Sequence, residues 1–414
     1  MRHTLIHRSH AGHWEETTRQ NAGRLDRWAA GQLQRAIRSS GVRLELWDGT
    51  SPFDGGVAIG DLVVRDRRAL LGLIVNPELY FGEAYMTGRL DVRGSLERVV
   101  EALTRLPAPP TTWHHRLASR FPWPNSLAGA RQNVHRHYDL GNEFYARWLD
   151  SQMLYTCAYF ASPAATLEQA QSAKLDLICR KLQLQRGELV VEAGCGWGAL
   201  ALHMARRYGV RVRAFNISRE QIVYARARAD REGLGGRVDF VEDDYRNVSG
   251  TFDAFVAVGM LEHVGLPHFR SLATVLQRTV RRDGGRGLLH FIGRDAPRPL
   301  NSWIRRRIFP GAYPPTLAEV TTRVLEPAGM SVVDVENLRL HYVRTLSCWS
   351  ERFAAARSGV RSQYGDEFTR AWELYLAGSR AAFASGWMQL FQIVFAPRES
   401  APPWWVRPPA PELP

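Results

Sequence analysis

Lysine is almost missing from this chain of 414 residues: it stands only at positions 174 and 181, and the other basic side chains are arginine. The formal net charge is nevertheless +13. A surface of that sign attracts nucleic acid or anionic lipid headgroups, with a merely soluble basic protein as the plain alternative. Cysteine is scarce too. It occurs at 157, 179, 195 and 348, never as C-x-x-C, which argues against a zinc site and a disulfide framework. No run approaches the ~20 apolar residues of a membrane span. The first 20 residues are polar, carry four histidines and lack the apolar core of a signal peptide. These absences lead us to expect a cytoplasmic protein with no metal, touching a membrane only from the side. No internal repeat is evident.

What is present centres on residues 188–208, ELVVEAGCGWGALALHMARRY. Leu189, Val190 and Val191 read as a short buried strand, glycines follow, and apolar residues then recur at helical spacing (Leu200, Leu202, Met204, Ala205). Strand, glycine turn and helix form the entry unit of a doubly wound α/β sheet. The turn admits two cofactors. Gly194, Gly196 and Ala199 satisfy the dinucleotide pattern G-x-G-x-x-G/A. That pattern also wants an acid about 20 residues later to hold the ribose, where Phe215-Asn216-Ile217-Ser218 stands. Glu192 directly before the turn, with glycine at 194, 196 and 198, is similar instead to the signature of S-adenosylmethionine (SAM) methyltransferases. The flanks decide between them.

Residues 1–105 read as a front α+β domain. Leu25, Trp28, Leu33 and Ile37 are expected to share the apolar face of a helix. A small β-rich unit spans 42–64, with Val57 and Ile59 resuming its alternation, and a further element starts at Asn76-Pro77 with Leu79, Tyr80, Ala84 and Leu90 as its apolar positions. Ser95 caps a helix to Leu103. The domain carries no cluster of catalytic residue types. Residues 106–133, rich in proline, tryptophan and arginine, read as a linker that either packs between domains or meets an interface.

From 134 to 397 the pattern is that of one catalytic domain. An aromatic stretch, VHRHYDLGNEFYARWLDSQMLYTCAYF, leads to a helix capped by Thr166. Strands then follow at 189–191, 210–217, 238–241, 252–258 and 287–292, with Ser218 capping the helix after the second. In an open parallel sheet the ligand lies beyond the carboxyl ends of the strands. Those ends deliver residues 192–198, Asn216, Asp244 with Tyr245, Glu262 with His263, and His290 to one edge. Residues 294–315 form an arginine- and proline-rich excursion, read as a headgroup-facing lid or a solvated basic loop. Helices follow at 316–325, 342–356 and 367–384, and stretches 332–338 and 388–395 read as two antiparallel edge strands. The proline-rich tail, 398–414, contains Trp404-Trp405.

With HYDLGNEFYARWLD, MLYTCAYF, EAGCGWGALALHMA, NISREQ, GMLEHVG, LLHFIG and IFPGAYPP on the page, the chain resembles the cyclopropane-fatty-acyl-phospholipid synthases and mycolic acid cyclopropane synthases. The resemblance implies a class I SAM-dependent methyltransferase: a Rossmann-like, seven-stranded mixed sheet behind a smaller, sterol-carrier-like N-terminal domain. By position it implies that SAM meets Tyr155, Thr156, Glu192, Gly194, Cys195, Gly196, Asn216, Gln221, Asp244, Tyr245 and Arg246, with Gln221 and Asn216 on the ribose. It implies a bicarbonate ion held by Glu262, His290, Tyr342 and the backbone around Cys157 and Ile292. Glu143, Phe144, Trp148 and Phe291 are the expected lining of an acyl channel. The partners implied are a phospholipid bilayer with unsaturated acyl chains and a second copy of the chain.

The chemistry suits those groups. A cis alkene is a weak nucleophile, so the donor must sit within about 3–3.5 Å of it. Methyl transfer leaves a carbocation whose methyl protons are acidic, and one positioned weak base suffices. Ser379 stands where family members often carry a cysteine, which disfavours a covalent cysteine route. Two rivals remain: a branched, methylene-bearing or furan-type product, and a catalytically silent SAM- or lipid-binding protein. Nucleic-acid methylation is not expected, because Gly259-Met260-Leu261-Glu262 replaces the N/D-P-P-Y/F motif at the end of the fourth strand.

Overall fold

The computed structural model describes residues 21–107 and 140–400. The polar lead, nearly all of the linker, the start of the aromatic stretch through Asp139, and Trp404-Trp405 lie outside the described residues.

In the front domain α1 (Arg24–Ile37) precedes β1 (Val42–Glu45), β2 (Gly60–Val64), α2 (Arg67–Val75), α3 (Pro77–Met86), β3 (Leu90–Arg93) and α4 (Leu96–Thr104). β2 is central, parallel to β1 and antiparallel to β3. Asp66, Asn76 and Ser95 each accept a backbone N–H from the first turn of α2, α3 and α4. Three expectations fail here. Leu25 and Trp28 are exposed, and α1 buries Asp26, Ala29, Ala30 and Gln34 instead. The polar pair turns inward because it has partners there: Asp26 takes a two-pronged bond from Arg67, at 2.8 and 2.6 Å, and Gln34 bridges Val42 O and Leu44 N of β1. Leu90 belongs to a strand, since the chain turns at Gly88, whose φ is +72°. Val57 is fully exposed and precedes β2.

The catalytic part opens with α5 (Asn142–Ala146) and α6 (Leu167–Lys181), the latter closed by a Thr166/Gln169 capping box. Then follow β4 (Leu189–Ala193), α7 (Ala199–His203), β5 (Arg211–Asn216), α8 (Arg219–Arg231), β6 (Val238–Glu242), β7 (Ala254–Val258), α9 (Leu261–Val264), α10 (Phe269–Thr279) and β8 (Arg286–Gly293). α11 (Ser302–Arg307), α12 (Leu317–Val320), β9 (Met330–Asn337), α13 (Arg339–Tyr364), α14 (Asp366–Ala384) and β10 (Gln389–Pro397) complete it.

The seven strands lie in the order β6-β5-β4-β7-β8-β10-β9. Chain direction is common to all but β10, which pairs antiparallel with both β8 and β9. The expectation of two antiparallel edge strands is thus corrected: β9 is the edge and β10 lies inside it. Composition explains the choice. All nine residues of β10 are buried, as its apolar run QLFQIVFAP requires, while β9 leaves Ser331, Val332 and Asn337 exposed, as an edge strand does. The strand order reverses beside β4, where a crevice opens at the carboxyl ends.

α13 and α14 form a long hairpin broken at Gly365, with φ +86°. The front domain docks on it. Arg370 donates to Tyr85 O, Leu90 O and Asp91 and lies over the Tyr85 ring at 4.2 Å. Arg380 binds Glu101, and Arg307 of α11 binds Glu83. Among the described residues no helix is long and apolar enough to cross a membrane.

Candidate active site

Three glycines shape the turn after β4. Gly194, Gly196 and Gly198 have φ of +83°, +53° and +83°, a region that other residues enter at a cost of about 1–3 kcal/mol. A side chain at 194 would press on Met260 at 3.1 Å, and one at 198 on Phe240 at 2.6 Å. Gly194 and Cys195 donate their N–H groups to Phe215 O, which ties the turn to the end of β5. Ser218 caps α8 by accepting from the Gln221 N–H. Asn216 donates to Gly196 O at 3.2 Å and to Gln221 Oε1 at 2.7 Å, and accepts from Ser218 N. Its amide is therefore spent on the protein. Gln221, whose Oε1 alone is so engaged, keeps an NH2 group for a ligand.

A pocket sits over this turn, and its lining takes in Tyr155, Thr156, Glu192, Gly194, Cys195, Gly196, Asn216, Gln221, Asp244, Tyr245 and Arg246 together. Asp244 grips Arg246 through both oxygens, at 2.8 and 2.9 Å, and Arg246 lies 5.5 Å from the Tyr245 ring. The Tyr245 hydroxyl is buried with no hydrogen-bond partner. Tyr155 shares a 2.6 Å hydrogen bond with Tyr375.

The pocket also contains Lys174, which no sequence motif singles out. Its ammonium is buried and donates to Thr156 Oγ1 at 2.8 Å. Burial pulls it down to about 8, against the nearby carboxylates of Asp150 and Glu192. Burial likewise pushes Glu192 up to about 8 although Lys174 opposes it. Glu192 Oε2 has no partner. A carboxylate oxygen left unpaired in a buried pocket is costly, and a cationic ligand such as SAM would satisfy it.

Glu262, His290, Tyr342, Cys157 and Ile292 are outside that lining. They lie behind one wall of it. An added side chain at Gly259 would meet the Thr156 methyl at 2.9 Å and lie 4.0 Å from Glu262 Oε1. Trp349 joins the two sets, its ring 5.3 Å from Tyr155 and 5.9 Å from Tyr342. Glu262 is buried and pushed up to about 7 by that burial, while backbone hydrogen bonds from Glu262 itself and Ile292 favour its charged form. His290 is held well below its ordinary value by burial and then by the charges of Lys174 and Lys181. Glu262 Oε2 and His290 Nε2 are both buried without a partner. Burial raises the Cys157 thiol, which leans on Ala158 O at 3.2 Å, so that residue offers only backbone.

The residues expected to line an acyl channel lie apart, and Glu143 is exposed. Phe144 and Trp148 are wholly buried in an aromatic cluster with Tyr145, Tyr155, Trp349 and Trp372 beside the pocket. Phe291 faces the other side of the sheet, against Phe391, because alternate residues of β8 point opposite ways. The excursion 294–315 reaches the pocket through Phe309 and Pro310. Its Arg307 is paired to Glu83 of the front domain while still reaching solvent, as Arg306 does.

The comparisons agree with this geometry. The family described as Mycolic acid cyclopropane synthetase matches residues 125–393, and a Domain of unknown function (DUF7884) matches residues 31–108. A probable fatty acid methyltransferase of Pseudomonas putida is 36% identical over 373 residues, 88% of this chain and 94% of that one. The cyclopropane-fatty-acyl-phospholipid synthase of Escherichia coli K12 is 36% identical over 358 residues, 82% of this chain and 89% of that one. The solved cyclopropane synthase MmaA2 of Mycobacterium tuberculosis superposes with a TM-score of 0.61 at 28% identity, covering 64% of this chain and 98% of that one. From the fold, the pocket and these relatives together, the chain belongs to the mycolic acid cyclopropane synthetase family, and it is a SAM-dependent C-methyltransferase that cyclopropanates or methylates lipid acyl chains.

Proposed function

We propose that this enzyme delivers a methylene from SAM across the cis double bond of acyl chains in membrane phospholipids, closing a cyclopropane ring, with bicarbonate as the base. One observation carries the reading. Behind the wall shared with the cofactor pocket, Glu262 Oε2 and His290 Nε2 are buried and unpaired. Two such orphans cost several kcal/mol together unless a small polar ligand joins them. Bicarbonate can accept from a ring N–H and share a proton with a carboxyl group, which fits this pair.

Bound SAM supplies an electrophilic methyl group, and bicarbonate a weak base. The protein does the rest by placement. Glu192, Gln221 and the glycine turn hold the donor, and Tyr155 stands between the donor and the aromatic cluster. Positive charge developing on an acyl chain there would face rings instead of water, a favourable arrangement. Glu262, His290 and Tyr342 keep the base next to that position, so the proton lost from the transferred methyl has a short path. The net charge of +13 supports docking on anionic bilayer.

Expression in a host rich in unsaturated phospholipid, followed by lipid extraction, tests the whole reading. The expected result is high-field cyclopropyl protons in the NMR spectrum of the phospholipid fraction, with a mass gain of about 14 Da per chain, the mass of one CH2 unit. The same mass gain with vinylidene protons would instead identify a methylene-branched product. That second reading draws support from the relatives named as a probable fatty acid methyltransferase and a tuberculostearic acid methyltransferase.

A further inference from the structure

The second of the two lysines lies at the end of α6, over a row of side chains that crosses three strands. Glu336 of β9, Gln392 of β10 and His290 of β8 stand opposite one another in register. Lys181 donates to Glu336 Oε2 at 2.5 Å and to Gln392 Oε1 at 2.9 Å, with Asp334 at 3.6 Å. Gln392 Nε2 lies 3.0 Å from His290 Nδ1. Lys181, Gln392 and His290 are all buried.

We infer that Gln392, oriented by Lys181, locks His290 in the Nε2–H tautomer and so makes the ring a hydrogen-bond donor where Nε2 points. An ammonium group has three donors and no acceptor, so the amide oxygen must face Lys181. The NH2 end then faces His290, and a donor there requires Nδ1 to be the acceptor. A neutral imidazole that accepts at Nδ1 carries its proton at Nε2, the atom that is buried and unpaired. Gln392 is thus a positioning residue, acting through His290. The inference depends on the bicarbonate reading only for what the Nε2–H meets. In this tautomer the ring holds an acceptor in place and takes no proton from it.

Nitrogen-15 spectra of the full chain labelled at histidine test this, with the His290→Gln protein assigning the signal by its loss. The wild type is expected to show a protonated Nε2 and a bare Nδ1. In Gln392→Glu the new carboxylate accepts from Nδ1–H, so the tautomer should invert while Lys181 keeps a partner. Turnover should then fall about 10- to 100-fold, the usual scale for a supporting hydrogen bond, with SAM affinity unchanged. Lys181→Arg, again a pure donor, should keep the wild-type tautomer. A protonated Nδ1 in the wild type, or the same tautomer in wild type and Gln392→Glu, overturns the inference. Should Gln392→Glu fail to fold, the wild-type spectrum alone decides. Added bicarbonate should move the Nε2–H signal; a protonated Nε2 that ignores bicarbonate would sink the anion reading while the tautomer lock stands.

Discussion

Glu262 is a carboxyl group whose ordinary value of 4.5 is raised by burial to about 7. Between those pH values the folded protein keeps a proton that the unfolded chain has lost. The stabilising contribution is therefore complete below about 4.5 and disappears as pH rises through about 7. Glu262→Gln lacks this dependence. Its stability relative to wild type should improve by up to about 3 kcal/mol between pH 5 and pH 8, read as a rise in the variant's Tm minus that of wild type, while turnover is lost. A fall in that difference with rising pH would contradict the assigned burial. A second residue prediction concerns the ribose. Gln221→Ala should weaken SAM binding about 10-fold by calorimetry, the value of one hydrogen bond to a bound ligand. Asn216→Ala should do the same indirectly, by releasing Gln221.

At the scale of the element, the glycine turn is the most constrained stretch. Gly198→Ala combines a φ of +83° with a Phe240 ring 2.6 Å from the new methyl. We expect about 2–4 kcal/mol of lost stability and a matching loss of SAM affinity. An unchanged Tm would show that the turn can relax. This turn is legible in the sequence because its chemistry is local: three glycines, a preceding acid, a following apolar helix. The caps at Ser95, Thr166 and Ser218 are legible for the same reason. The inner place of β10 and the sense of β9 are not, since pairing partners far apart in sequence leave no local trace. The inner face of α1 escapes a pattern reading because hydrophobicity alone ranks Leu25 above Asp26, and only the partners Arg67 and Val42 make the polar face the buried one. Lys174, Lys181 and Gln392 belong to no motif, although the rarity of lysine in an arginine-rich chain is a usable signal.

Across the whole molecule, the front domain is held by arginines of the catalytic part. Arg370 alone makes three hydrogen bonds and covers a tyrosine ring. Arg370→Ala should leave two backbone carbonyls and Asp91 short of donors, at about 2–4 kcal/mol. Limited proteolysis should then release the front domain earlier than in wild type, with the SAM affinity of the remainder preserved; equal cleavage rates would assign the docking to the close contact of the Trp303 ring with Gly82 of α3 instead.

Both lysines are buried within the catalytic part, one lining the cofactor pocket and one under the sheet. The native protein thus presents almost no primary amine to reagents in bulk solution. Acylating dyes and amine cross-linkers would reach Lys174 only by way of the cofactor pocket, where its lowered proton affinity favours attack. Labelling at that position, and its suppression by added nucleoside, would give a direct chemical gauge of pocket occupancy without any turnover.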